Sequence, residues 1–237
     1  MSTLTRKKRE IELREQQIMR LARSILLTEG YPNLSMERLA AEMQFAKGTL
    51  YNHFPNKDEI VVALAVESLE LRRKIFEKAS VSRPLSRHRM GAIGCACDLY
   101  ATHYADHFGI EEMLRSGSIL ENASELRRKL VRQCEQRIMA IVAGVVRDAI
   151  AVGDFVLPKE MSAEEFVFGL WALMYGSQIL MASSPALVEI GVNQPQRSIR
   201  YHAWTLLNGY GWQPLLSFDE SEDLMNSVRE NLLHHES

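Results

Sequence analysis

The sequence predicts an all-α protein, and three observations lead there. Apolar residues recur at three- and four-residue steps along nearly the whole chain. Residues that cap or break helices punctuate those stretches at helical lengths. No convincing alternation of apolar and polar residues argues for a sheet, and no internal repeat is evident. With 237 residues, 46% hydrophobic and 24% charged, the chain can bury one large core or two smaller ones.

The elements follow in order. Ile11, Ile18, Leu21, Ala22, Ile25 and Leu26 form one face of a first helix ending near Glu29. Gly30 suits its left-handed C-cap, and Pro32 prevents continuation. Ser35 offers an N-cap for a short second helix from Met36 to Met43, with Arg38 where a capping box would carry Glu. A corner at Gln44 and Phe45 leads into a third short helix ending at Phe54. Asn56 caps a long fourth helix over residues 57–79, and Asp58 and Glu59 in its first turn suit the helix dipole.

The looser segment 80–87 marks a seam before a larger C-terminal part. Helices are expected there over residues 87–106, 107–116, 122–152, 162–183, 196–212 and 219–235. Gly153 and Pro158 separate the third of these from the fourth, and Ser162 with Glu165 makes a capping box. The predicted domains are 1–56 and 57–237, linked by the helix over 57–79.

Charge is distributed unevenly. The formal net charge is -2, yet residues 1–25 carry seven basic side chains against Glu10, Glu12 and Glu15, a local excess of +4. Cys95, Cys97 and Cys134 form no disulfide framework, which fits a reducing cytoplasm. The basic start lacks an apolar signal core, and no run approaches the roughly 18 apolar residues of a membrane span. A cytoplasmic protein without a membrane partner is expected.

Three close helices, the second and third joined by a tight corner, describe a helix-turn-helix. Leu39, Met43 and Phe45 can face inward, with Leu50 and Phe54 facing the same core from the third helix. Ala40 permits close approach. That leaves Lys47, Gly48, Thr49, Asn52 and His53, with the edge of Tyr51, for the outside. A helix start built from small and polar residues suits the major groove of double-stranded DNA. Gly48 lowers helix propensity by roughly 1 kcal/mol relative to alanine, and close approach to DNA is a reason to accept that.

The stretch LSMERLAAEMQFAKGTLYNHFPNKDEIVVAL, residues 34–64, resembles the DNA-binding signature of the tetracycline-repressor-like (TetR) family of bacterial transcriptional regulators. KGTLYNHFPNKDE is its most diagnostic part, and LLTEGYPNLS before it also matches. The resemblance covers about the first 65 residues closely, and beyond them only length and helical layout. It implies an N-terminal DNA-binding domain and a C-terminal helical domain for ligand binding and dimerisation.

By that resemblance, Lys47, Gly48 and Thr49 meet bases or nearby phosphates. Tyr51 and His53 touch the phosphate backbone, and Asn52 reaches a base edge. Lys57 and Ser35 contact phosphates, while Arg6 to Arg9 add salt-sensitive affinity. Two positions depart from the family pattern. Gln44 replaces a glycine and is strained if left-handed. Ala46 replaces a hydroxyl cap, a loss of about 1 kcal/mol.

The expected function is a homodimeric, ligand-responsive repressor that reads a pseudo-palindromic operator and is released by an unidentified small-molecule effector. A nucleoid- or division-associated DNA-binding protein of the same fold is the alternative. Helices 162–183 and 196–212 are expected to pair across a two-fold axis, where Gly169, Ala172 and Gly176 allow close contact. The aromatic and methionine residues of 161–181 fit either core and dimer interface or an apolar ligand cavity. Tyr100, His103, Met139, Phe168, Trp171 and Tyr175 are the candidates for lining such a cavity.

No phosphate loop, nucleophile motif or metal set points to an enzyme, and no cofactor is implied. Cys95 and Cys97 lie about 200° apart on a helix, so they cannot chelate together. His103 and His107 could share a metal, but lack further ligands.

Overall fold

The computed structural model describes residues 3–115, 117–184 and 186–233. Among them are eleven α-helices, one 3-10 turn and no strand. They divide into two compact units, one from the described residues of 1–71 and 105–135, the other from those of 72–104 and 136–237.

In the first unit, α1 (Thr3–Glu29) stops where expected, with Gly30 at φ 82° and a 3-10 turn over Tyr31–Asn33. Its core-facing set is narrower than its periodicity. Ile18, Ala22, Ile25 and Leu26 are buried, whereas Ile11 is 41% exposed. The basic residues Arg6 to Arg9 sit on this helix, where Arg6 pairs with Glu10 at 3.0 Å and Lys8 with Glu12 at 3.9 Å.

Helix α2 (Met36–Glu42) is capped as predicted, the Ser35 hydroxyl accepting the Arg38 N–H at 3.1 Å. Arg38 itself spans two carboxylates, Glu29 at 2.6 Å and Glu42 at 2.7 Å, and so ties α2 to the end of α1. Helix α3 (Lys47–His53) is held by the buried Leu50 and Phe54, while Met43 and Phe45 are only half-buried.

Helix α4 (Lys57–Val81) starts on the Asn56 side chain, which accepts the Glu59 N–H at 2.9 Å. α6 (Ala105–Arg115) and α7 (Ile119–Asn122) complete the first unit with the start of α8 (Glu125–Val152). The helix expected over 122–152 is therefore continuous but begins at Glu125, just after the short α7. At the break, Ser124 gives its N–H to the Glu59 carboxylate, and its hydroxyl accepts the Arg127 N–H at 3.3 Å. A long-range acceptor and a local cap together end one helix and start the next.

The second unit packs α5 (Ser86–His103), the rest of α8, α9 (Ala163–Ser183), α10 (Pro195–Gly209) and α11 (Phe218–Leu233). The capping box of Ser162 and Glu165 forms with both bonds present. Phe155 stacks on Trp212 at 4.8 Å and meets Phe166 at 5.0 Å, with Tyr210 edge-on to Phe166. Trp204 is a core residue too, covered by Arg87 at 3.7 Å from its ring.

Helix α9 comes nearer to a membrane-spanning run than expected. It is long and apolar enough, with a mean hydropathy of 1.4, to cross a membrane by length and composition, and only 22% of that stretch is buried. Glu164 at its start pairs with Arg147 of α8, and the buried Gln178 donates to Asp98 at 2.9 Å, which ties it into the fold.

Candidate nucleic-acid interface

The corner between α2 and α3 sets the site. Phe45 N–H reaches back to the Ala40 carbonyl at 2.9 Å and Gln44 N–H to Ala41 at 3.1 Å. This closure requires a left-handed residue between the helices, and Gln44 supplies it at φ 56°, among the described residues the one non-glycine with positive φ. Ala46 starts α3 in an extended conformation without a side-chain cap. Both departures foreseen in the sequence are thus accommodated by the ordinary two-helix corner.

On the far side of α3 from Leu50, Lys47, Gly48, Tyr51 and Asn52 are exposed and Thr49 is half-exposed. A Cβ added at Gly48 would meet nothing within 4 Å, so packing within the chain does not demand glycine there. Lys47 stays 69% exposed, its ammonium 3.9 Å from Glu37.

Two residues sit differently from an outward-facing set. The His53 side chain is only 8% exposed and lies 3.5 Å from the Glu15 carboxylate of α1. Lys57 rests over the Tyr31 ring, 3.9 Å from its centre, and donates to the Tyr31 carbonyl at 3.3 Å. The Tyr31 hydroxyl donates to Asp58, and burial together with that carboxylate pushes its pKa up to about 12. Ser35 is half-buried with its oxygen engaged by the α2 cap.

Residues 18–64 match the family model described as bacterial regulatory proteins, tetR family. These residues are a tetR-family domain. The match contains the whole of α2 and α3, so the corner at Gln44 and the exposed tip of α3 belong to the tetR-family domain.

Solved structures share the fold over most of the chain. A protein of unknown function from Rhodococcus sp. RHA1 is 18% identical with a TM-score of 0.66, covering 83% of this chain and 95% of that one. A tetR-family regulatory protein from Rhodococcus RHA1 is 13% identical with a TM-score of 0.62, covering 84% and 97%. A transcriptional regulator from Saccharomonospora viridis, solved with choline, is 18% identical with a TM-score of 0.64, covering 83% and 96%. No curated protein matches the sequence.

The effector candidates scatter. Tyr100 is buried with Arg72 5.8 Å from its ring, and Met139 is half-buried. Phe168, Trp171 and Tyr175 form an edge-on ladder along α9, with ring centres 6.1 and 6.0 Å apart, and Phe168 is 58% exposed. His103 alone of the six lines the 660 Å³ cavity of the second unit, whose other walls include Asp98, Arg197, Arg200 and Arg229. The periodicity that singled out aromatics carried no sign of this polar cavity. α5 ends at His103 and α6 begins at Ala105, so His103 and His107 do not share one continuous helix. Among the described residues no cluster of three or more His, Cys, Asp or Glu is placed to hold a metal.

Proposed function

We propose that the protein is a homodimeric transcriptional repressor, cytoplasmic and effector-responsive, whose α3 helices enter the major groove of a pseudo-palindromic operator. The carrying observation is the exposed tip of α3. Lys47, Gly48, Tyr51 and Asn52 face outward around a glycine for which the chain's own packing has no use. Lys47, Thr49 and Asn52 would meet bases or nearby phosphates. Tyr51, Lys57 and Ser35 would take phosphates, the last two after small side-chain shifts. His53 would act chiefly by holding α3 against α1 through Glu15. The domain division at residue 56, with 57–79 as the link, is kept as part of this proposal.

Dimerisation through α9 and α10 is supported by the apolar surface they leave open. Phe168, Leu180, Tyr201 and Leu206 are all exposed. Exposed apolar side chains on both helices give a partner helix apolar surface to cover. The cavity beside His103 supports a small-molecule effector, as does the choline bound to the Saccharomonospora viridis regulator. An effector that favours a dimer unable to space the two α3 helices one DNA turn apart would release the operator. Coupling is reciprocal, so operator DNA must weaken effector binding by the same factor.

The test is duplex binding by the full chain against a Lys47→Ala/Tyr51→Ala variant, read by fluorescence anisotropy across a salt series. The variant should fold and dimerise like the parent, yet lose sequence-specific binding. Specific binding that survives in the variant contradicts the assignment of α3.

A further inference from the structure

The cavity between α5, α10 and α11 has a wall that the regulator reading leaves unexplained. Three arginines, Arg197, Arg200 and Arg229, face it against one carboxylate, Asp98. Glu222 holds Arg200 by two bonds of 2.8 and 3.1 Å, which leaves a local excess of one positive charge. Arg197 and Arg229 form no salt bridge among the described residues, and Arg197 lies over the Phe218 ring at 5.3 Å.

The start of α10 faces the same space. Gln194, the residue preceding the helix, provides no side-chain cap, and Pro195 has no N–H. The first intrahelical donor to close a bond there is Ser198, onto the Gln194 carbonyl at 2.9 Å. The N–H groups of Gln196 and Arg197 therefore point out of the helix end, where its dipole favours negative charge.

Asp98 supplies an independent sign of a ligand. Its side chain is only 3% exposed, and Oδ1 accepts from Gln178 at 2.9 Å. Oδ2 accepts no hydrogen bond, the nearest Arg200 nitrogen standing 3.7 Å away. A buried carboxylate oxygen left without a donor is costly, and a donor brought by a ligand would relieve it. The residues lining the cavity include no Phe, Tyr or Trp, so the aromatic faces that bind quaternary ammonium groups are missing from it.

We propose that this cavity binds a small hydroxy- or amino-carboxylate. The ligand carboxylate would meet the α10 N-terminus with Arg197 and Arg229, and the hydroxyl or amino hydrogen would donate to Asp98 Oδ2. The assignment names the chemical class of the effector and rests on the regulator reading only for its consequence on DNA.

The experiment is titration calorimetry on the full chain, without DNA, using L-malate, L-aspartate, succinate, inorganic phosphate and choline. L-malate or L-aspartate should bind, and succinate, which lacks the donor, should bind about tenfold more weakly. Arg197→Gln and Arg229→Gln, both surface changes, should each weaken binding about tenfold or more. Asp98→Asn should remove the preference over succinate. Binding by choline or phosphate alone, binding of neither substituted carboxylate, or affinity unchanged from the parent in both arginine variants overturns the site. Repeating the titration with operator DNA separates the two claims. A carboxylate that binds without changing operator affinity keeps the site and removes its effector role, whereas loss of operator binding in the parent leaves the DNA-free titration intact.

Discussion

The side-chain amide of Asn122 donates to Asp58 Oδ2 at 3.0 Å, while the Tyr31 hydroxyl donates to the other oxygen of the same carboxylate. One side chain in the first turn of α4 thus ties the end of α7 to the 3-10 turn after α1. Its neighbour Glu59 repeats the device, accepting from the Ser124 N–H and from Arg127 at 3.4 Å. Asp58→Ala should lower the unfolding free energy by about 1–3 kcal/mol, because the half-buried Tyr31 hydroxyl and the Asn122 amide lose a charged acceptor. Urea denaturation checks this, and a loss below about 0.5 kcal/mol would place the network among dispensable surface contacts.

Gln44 is held at φ 56°, where a side chain is disfavoured and glycine is not. The residue is exposed and its corner hydrogen bonds come from the backbone. Gln44→Gly should therefore stabilise the fold by about 0.5–1 kcal/mol, net of the extra freedom glycine gives the unfolded chain. The denaturation midpoint should rise at unchanged slope.

Gly48→Ala separates folding from DNA binding. Open space surrounds the position, so alanine should raise stability by about 0.5–1 kcal/mol through helix propensity. The added methyl should nonetheless weaken operator binding about tenfold by holding α3 off the groove. Thermal melts and anisotropy on the same preparation read both effects.

Burial is the main cause that pushes the Asp98 carboxyl from 3.8 up to about 6, with Arg200 and Arg229 opposing it. The folded protein therefore holds this proton more tightly than the unfolded chain. The group favours folding at low pH, and that advantage is lost as pH rises from about 4 through about 6. Asp98→Asn should match the parent near pH 4 and exceed it at pH 8 by up to about 3 kcal/mol. An unchanged difference between those two pH values would contradict the shift.

Phe168 and Leu180 lie exposed on α9, 58% and 59% respectively. Phe168→Asp or Leu180→Asp should halve the solution mass read by light scattering while the helical circular dichroism is kept. A parent that is monomeric at micromolar concentration would remove the dimer from the proposal.

What the sequence made legible were features decided within a few residues. The end of α1 at a positive-φ Gly30, the caps at Ser35 and Asn56, the capping box at Ser162 and the anchoring of α3 by Leu50 and Phe54 all appear in the structure, though Gly30 at ψ 168° is extended rather than left-handed helical. What it hid depends on partners far along the chain. His53 turns to Glu15 across 38 residues, Asn122 meets Asp58 across 64, and Gln178 meets Asp98 across 80. The break at Ser124 has the same origin, since its N–H is taken by Glu59. The cavity was missed because apolar periodicity marks packed faces. Its walls are arginines, an aspartate and a helix end, which carry no such period.

Selection of bound sequences from random duplex DNA by the full-length protein tests the central claim most directly. The account predicts enrichment of a pseudo-palindrome with half-sites about one helical turn apart. It also predicts that the enrichment vanishes for the Lys47→Ala/Tyr51→Ala variant. No enriched sequence from the parent, or the same sequence recovered with the variant, would contradict it.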